Sequence, residues 1–173
     1  KNGAIITTAI TNFDIHDIAR TAKTYAVKKY FVIHHLENQV ELAKKIAGHW
    51  QTGHGSVYNP DRREAFSILS FVDGIKKAAD EVKSIEGRDA IIVTTDARKY
   101  TNTISYADMR NKLQVNEQPV LLLFGTGWGI ERETMGKFDY ILEPIYGPTD
   151  YNHLPVRAAV AIILDRLCGE SWW

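Results

Sequence analysis

The chain has 173 residues, which suits one domain with its own core, and its 45% hydrophobic content supports that. A net charge of zero argues against a polycation that binds nucleic acid indiscriminately, and leaves room for a local basic patch. The single cysteine, Cys168, excludes an internal disulfide framework and suits a reducing cytosol, and no apolar stretch approaches the ~20 residues of a membrane helix.

From the N-terminus onward, apolar runs alternate with helical periodicity. Residues 3–10 are too short, and end too polar, for a signal peptide. Residues 4–9 read as a first strand. A helix follows over 14–26, with Ile15, Ile18, Ala19, Ala22 and Ala26 on one face and Asp14 available as its N-cap. Residues 30–34 read as a strand and 37–50 as a helix carrying Val40, Leu42, Ala43, Ile46 and Ala47. The longest loop is 51–60, although Asn59-Pro60-Asp61 is also a good helix start. The stretch 62–84 reads as two helices or one kinked at Gly74. Strands are expected over 90–94, 120–124 and 140–143, with a short helix over 106–113. The last helix, 154–167, is apolar enough to pack on two sides. The strand runs lack clean polar alternation, as parallel strands covered by helices on both faces do. The chain therefore reads as α/β, without repeats, low complexity or a linker.

The most informative segment is Pro119-Val-Leu-Leu-Leu-Phe-Gly-Thr-Gly-Trp-Gly-Ile130, a buried run ending in Gly125, Gly127 and Gly129. Its spacing is not the dinucleotide fingerprint, and no Gly-Lys-Ser/Thr follows to make a phosphate loop. A second run, Asp139-Tyr-Ile-Leu-Glu-Pro-Ile145, precedes Tyr151-Asn-His-Leu-Pro-Val-Arg157 and the apolar helix. Strand, glycine loop, strand and helix can hold a flat, polar cofactor against bare backbone, because glycine allows positive φ and close approach.

This order resembles the SPOUT superfamily of RNA methyltransferases. Within it, the chain looks closest to a small bacterial family sometimes fused to tRNA guanine-N1 methyltransferase. The resemblance spans the chain and is strongest over 119–167. It implies one SPOUT domain over 1–173: a parallel sheet flanked by helices, with the C-terminal segment threaded into a deep trefoil knot. Knots are otherwise nearly absent from proteins, so periodicity alone does not suggest one. It also implies a bent S-adenosylmethionine in the knot, methyl transfer to an RNA (tRNA or rRNA), a homodimer paired through the knot region, and a cytoplasmic location. The donor would be held by Thr94, Thr95, Phe124, Gly125, Thr126, Gly127, Trp128, Gly129, Leu142, Glu143, Pro144, Ile145, His153, Leu154, Val156 and Arg157. The glycines would bring backbone to its ribose and methionine portions. Leu142, Ile145, Leu154 and Val156, with Ala159, would line an adenine slot. The superfamily's third motif has Leu-Asn-Val-Ser where this chain has Leu154-Pro-Val-Arg157. Pro155 and Arg157 depart from it, which spares the helix but removes a polar contact.

Asn12-Phe-Asp-Ile-His-Asp-Ile-Ala-Arg20 resembles the first motif of the ribose 2′-O-methylating branch, in which an arginine follows an asparagine by six residues. Arg20 matches the arginine, Asp14 replaces the asparagine and His16 replaces a glycine, so Arg20, Asp14 and His16 are the expected catalytic positions. Arg20 also reads as a surface ion pair. It favours ribose 2′-O as acceptor, whereas Asp14 or Asp17 as a base would suit a base nitrogen. In the long loop, stacking on Trp50 or Tyr58 with Arg62 and Arg63 on phosphate would suit an unpaired nucleotide; the alternative is a helix-capping turn. The histidines His16, His34, His35, His49, His54 and His153 show no zinc-site spacing, so no metal is expected. His34 and His35 read as structural or exposed. Lys76, Lys77, Lys83 and Arg88 form a mixed surface with Glu81 and Glu86. A non-catalytic module binding S-adenosylmethionine or a nucleotide is the rival reading, and an unrelated flavodoxin-like enzyme is a third.

Overall fold

In the computed structural model, which describes residues 8–115 and 118–170, every strand pairing is parallel. The elements run α1 (Asn12–Thr24), β1 (Tyr30–Ile33), α2 (Glu37–Gln51), α3 (His54–Tyr58), α4 (Pro60–Phe66), β2 (Leu69–Val72) and α5 (Ile75–Glu86). They continue with β3 (Ile91–Thr95), β4 (Thr103–Ile104), α6 (Tyr106–Val115), β5 (Val120–Leu123), α7 (Arg132–Met135), β6 (Tyr140–Leu142) and α8 (Val156–Cys168). Among the described residues β1 pairs with β2, and a second sheet has the order β4-β6-β3-β5. Residues 4–7 of the expected first strand and the Ser171-Trp-Trp173 tail lie outside the described residues; Thr8 and Ala9 are not strand.

Local chemistry sets several boundaries. Thr11 is extended and its side-chain oxygen accepts the Asp14 N–H at 3.1 Å, so Thr11 caps α1 in place of the expected Asp14. Its short hydroxyl reaches an N–H that the first helical turn leaves without a partner. Asn59 caps α4 by accepting the Arg62 N–H at 2.9 Å, with Pro60 in the first turn, as its sequence suggests. Gly87 ends α5 in the left-handed region at φ 70°.

The expected helical stretch 62–84 is instead the end of α4, then β2, then α5. Leu69-Ser-Phe-Val72 pairs with β1 from Tyr30↔Leu69 to Ile33↔Val72. Bulky aromatic and β-branched side chains fit a pleated, half-buried surface better than a helix. The 51–60 loop likewise contains α3.

Alternation along the central strands assigns the layers. In β5, Leu121 and Leu123 pack with Ala78 of α5 and with Phe31 and Ile33 of β1. Leu122 and the following Phe124 pack on the opposite side, among Ile18 of α1 and Val160 and Leu164 of α8. The β1–β2 end is closed by Ile15, Ala19, Ala43, Ala47, Ala65 and Phe66 from α1, α2 and α4. Met109, Ile163 and Leu167 of α6 and α8 cover Val93 and Leu142. Burial on both faces explains why the strands read as continuous apolar runs.

Candidate active site

The chain leaves β5 and turns at once. Gly127 and Gly129 have φ of 61° and 84°, where a side chain is strained. A Cβ on Gly125 would lie 2.6 Å from the backbone of Gly129 and Ile130, so the loop closes on itself only without one. A Cβ on Gly127 would lie 2.7 Å from Thr8 Cγ2. Thr8 and Thr126 join hydroxyls at 2.5 Å. Thr8 is clipped from behind: Leu36 N–H donates to His34 Nδ1 at 3.1 Å, which leaves the ring proton on Nε2 to donate to Thr8 O at 3.0 Å. Buried His34 is thus a backbone clip for the glycine loop's neighbour.

Three segments line a cleft of about 560 Å³ beside that loop. Thr8, Ala9, Thr11 and Asp14 come from the N-terminal side, Gly125, Thr126 and Gly127 from the loop. His153, Leu154 and Pro155 come from the approach to α8, and Val156 and Arg157 from its first turn. Arg157 ties the first and last of these together. Its Nη1 lies 3.4 Å from Asp14 Oδ1, its Nε 3.4 Å from Asp17 Oδ2, and its Cζ 5.8 Å from the Phe13 ring centroid. Asp14 also accepts the Thr11 hydroxyl at 2.5 Å. The charge that departs from the resembled motif is therefore balanced by two carboxylates of α1.

Other residues anticipated for the donor do not line this cleft itself. Thr94 is fully buried and donates its hydroxyl to Leu123 O at 3.2 Å. Leu142 and Pro144 are buried, and Ile145 packs beside α6 and α8. Glu143 accepts the Tyr106 N–H at 3.4 Å. Phe124 packs against α8, Trp128 is exposed, and neither they, Thr95 nor Gly129 line the cleft. Gly129 abuts Asp96, from whose Oδ2 a Cβ there would be 3.6 Å away. Burial pushes the Asp96 carboxyl up. Donation by the Arg98 guanidinium and backbone outweighs burial and holds it below the usual carboxylate range. Thr8, Ala9 and Thr11, which line the cleft, were not anticipated as site residues. The available signal was position: Thr8 and Ala9 close the strand expected over 4–9 and Thr11 follows it, where α/β ligands lie.

Of the remaining anticipated residues, His16, Trp50 and Arg62 meet on the side of α1 that faces α4. His16 packs 4.8 Å from the Phe66 ring and edge-on to Trp50 at 5.5 Å. Arg62 sits over Trp50 at 4.4 Å. Burial, then Arg62 and Arg20, hold His16 below the usual histidine range against the opposing Asp17. Arg20, Arg63 and Tyr58 are exposed. None of these residues lines the cleft. Among the described residues no three His, Cys, Asp or Glu side chains cluster as a metal site.

A family model described as SAM-dependent RNA methyltransferase matches residues 1–169. A protein of Aquifex aeolicus (strain VF5) is 42% identical over 171 residues, covering 99% of this chain and 83% of its own length. A tRNA (guanine-N(1)-)-methyltransferase of Nitratidesulfovibrio vulgaris is 41% identical over 165 residues, 95% of this chain but only 38% of that protein. Among solved structures, the SpoU methyltransferase AviRb of Streptomyces viridochromogenes, in complex with AdoMet, matches with a TM-score of 0.58. It is 20% identical and covers 92% of this chain and 54% of that one, a likeness of fold.

Proposed function

The chain belongs to the family of SAM-dependent RNA methyltransferases, and from that membership we propose that the cleft beside Gly125 and Gly127 holds its methyl donor, S-adenosylmethionine, against an RNA acceptor. One observation carries this reading: Asp14, Gly125–Thr126–Gly127 and His153–Arg157, drawn from three distant segments, line a single cleft. The residues suit the donor. Gly125 and Gly127 offer backbone without side chains, while Thr8, Thr11 and Thr126 offer hydroxyls. Leu154, Pro155 and Val156 offer apolar surface, and Asp14 and Arg157 offer both charges.

When bound, S-adenosylmethionine supplies an electrophilic methyl group on a sulfonium. The protein's part is to position the acceptor and to take up the proton it loses. Asp14 is the carboxylate on the cleft, and Arg157 and Thr11 hold it in place. Arg20, which would favour ribose 2′-O, is on the exposed face of α1. The arrangement therefore favours a base nitrogen. The guanine-N1 name of the Nitratidesulfovibrio relative does not decide the acceptor, because this chain spans well under half of that protein.

The single domain over 1–173, the trefoil knot, the homodimer and the cytoplasmic setting belong to the same proposal. For the knot, the support is that the approach to α8 lies against the glycine loop after β5. For pairing, it is the exposed Trp128, Tyr146 and Tyr151 around that region. For the setting, no helix among the described residues is long and apolar enough to cross a membrane. The RNA would be tRNA or rRNA. The decisive experiment is calorimetry with S-adenosylmethionine, followed by transfer of its labelled methyl group to bulk tRNA and rRNA and nucleoside analysis of the product. A methylated base is expected. A 2′-O-methyl nucleoside would move the acceptor to ribose, and failure to bind the donor would overturn the proposal.

A further inference from the structure

Arg62 is a partly buried cation whose surroundings leave it uncompensated. Its Nε is buried without a hydrogen-bond partner, and among the described residues no carboxylate pairs with it. Native proteins rarely leave buried donors unpaired, because the lost hydration is then not recovered. Neighbouring charges add to the imbalance. Arg20 on α1 also has no ion-pair partner among the described residues, and Asp17, the nearby acid, is engaged by Arg157. The Glu64 carboxylate of α4 is taken by Lys23.

Trp50 is not free to stack on a base. Arg62 covers its ring, and His16 and His49 meet it edge-on at 5.5 and 4.9 Å. A Cβ on Gly55 would come within 2.7 Å of its Cε3. The ring is instead a platform for the guanidinium. With its Cζ 4.4 Å from the ring centroid and its Nε buried, Arg62 has its two Nη groups left to present to phosphate oxygens. His16, beside it, has a ring nitrogen to add a further hydrogen bond.

We infer that Arg62, pinned on Trp50 beside His16, receives a backbone phosphate of the RNA flanking the nucleotide in the cleft. The inference rests on the RNA-methylating reading and adds a positioning subsite to it. α1 separates the two places: Asp14 borders the cleft, His16 faces α4, and Phe13 and Arg20 are exposed on the same helix. A helix is ~10 Å across with its side chains, so a strand crossing α1 reaches Arg62 from the cleft.

The test titrates bulk tRNA with the 173-residue chain, its donor present, over a range of salt concentrations. Arg62→Ala is expected to weaken RNA binding roughly tenfold and to lower the slope of log K against log salt by ~0.7–0.9, the value of one phosphate contact. Affinity for S-adenosylmethionine stays unchanged. Arg62→Lys is expected to restore the slope but not the full affinity, and Trp50→Phe to fall between. If Arg62→Ala does not fold, the lysine and phenylalanine variants carry the same comparison. RNA binding with unchanged affinity and slope in these variants overturns the subsite alone. Donor binding with no RNA binding by the wild type overturns the RNA reading and the subsite with it. If inorganic phosphate binds the wild type while tRNA binding ignores Arg62, the site serves a free anion and the inference fails.

Discussion

Gly125 is a loop glycine at which a methyl group would meet main chain rather than a side chain. At Gly125 the obstacle is backbone 2.6 Å away, which cannot yield as a flexible side chain does. Gly125→Ala should therefore reopen the loop and weaken S-adenosylmethionine binding at least ~10-fold by calorimetry, at a stability cost of ~1–3 kcal/mol. Gly48, inside α2, has open space around it, so Gly48→Ala is the matched control and should stabilise by ~0.5–1 kcal/mol. Equal donor affinity in the two variants would remove the loop from the site. His16 supplies a pH dependence. Its folded value lies below the unfolded 6.5, through burial and then Arg62 and Arg20 against Asp17. The unfolded chain thus binds the proton more readily. This contribution to stability is complete above the unfolded value and is lost as pH falls from there through the folded value. Urea midpoints measured from pH 7.5 down to 5 should drop more for the wild type than for His16→Gln; parallel curves would show that His16 is not the group responsible.

Between elements, two arginines act across the fold. Arg110 of α6 donates to Arg166 O at 3.1 Å and also to Gly169 O, satisfying carbonyls that the end of α8 leaves open. Arg110→Ala should cost about 1–3 kcal/mol in urea unfolding, and an unchanged midpoint would mean solvent replaces those bonds without loss. Arg157 joins the start of α8 to Asp14 and Asp17 of α1. Its side chain is 42% exposed, so the pairs should add only ~0–1 kcal/mol to stability. The expected effect of Arg157→Ala is on turnover: methyl transfer falls because Asp14 loses its orienting partner, while the unfolding midpoint barely moves. Arg157→Lys should recover little, since a point charge on a flexible stem replaces a forked, planar one. Full transfer activity in Arg157→Ala would detach the tie from the chemistry. Strand β2 shows where reading elements from periodicity fails. Its four residues sit between two helices and were absorbed into them, although Leu69-Ser-Phe-Val72 carries the bulky composition of a strand. A segment this short has too few residues to separate a period of two from 3.6.

For the molecule as a unit, the donor links binding to folding. A ligand that binds only the native state at 100 times its Kd adds ~2.7 kcal/mol, which for a domain of this size raises the Tm by about 5–10 °C. Thermal melts with and without S-adenosylmethionine measure this, and no shift at saturating donor would exclude binding to the folded chain. What the amino-acid order alone determined was local. The alternation of strands and helices, the burial of both sheet faces, the caps at Asn59 and Pro60 and the tight glycine loop all follow from neighbouring residues, because backbone torsion and periodicity are short-range properties. Resemblance of ordered motifs extended this to the donor. Only the tertiary structure decided which polar groups meet. Thr8 reaches Thr126 across 118 positions, and Arg157 reaches Asp14 across 143. It also moved Thr94 and Leu142 into the core and turned Trp50 from a stacking surface into a support for Arg62. Such meetings depend on β3 lying between β5 and β6 and on α1 packing against α8, and distances set by strand order leave no trace in any local pattern.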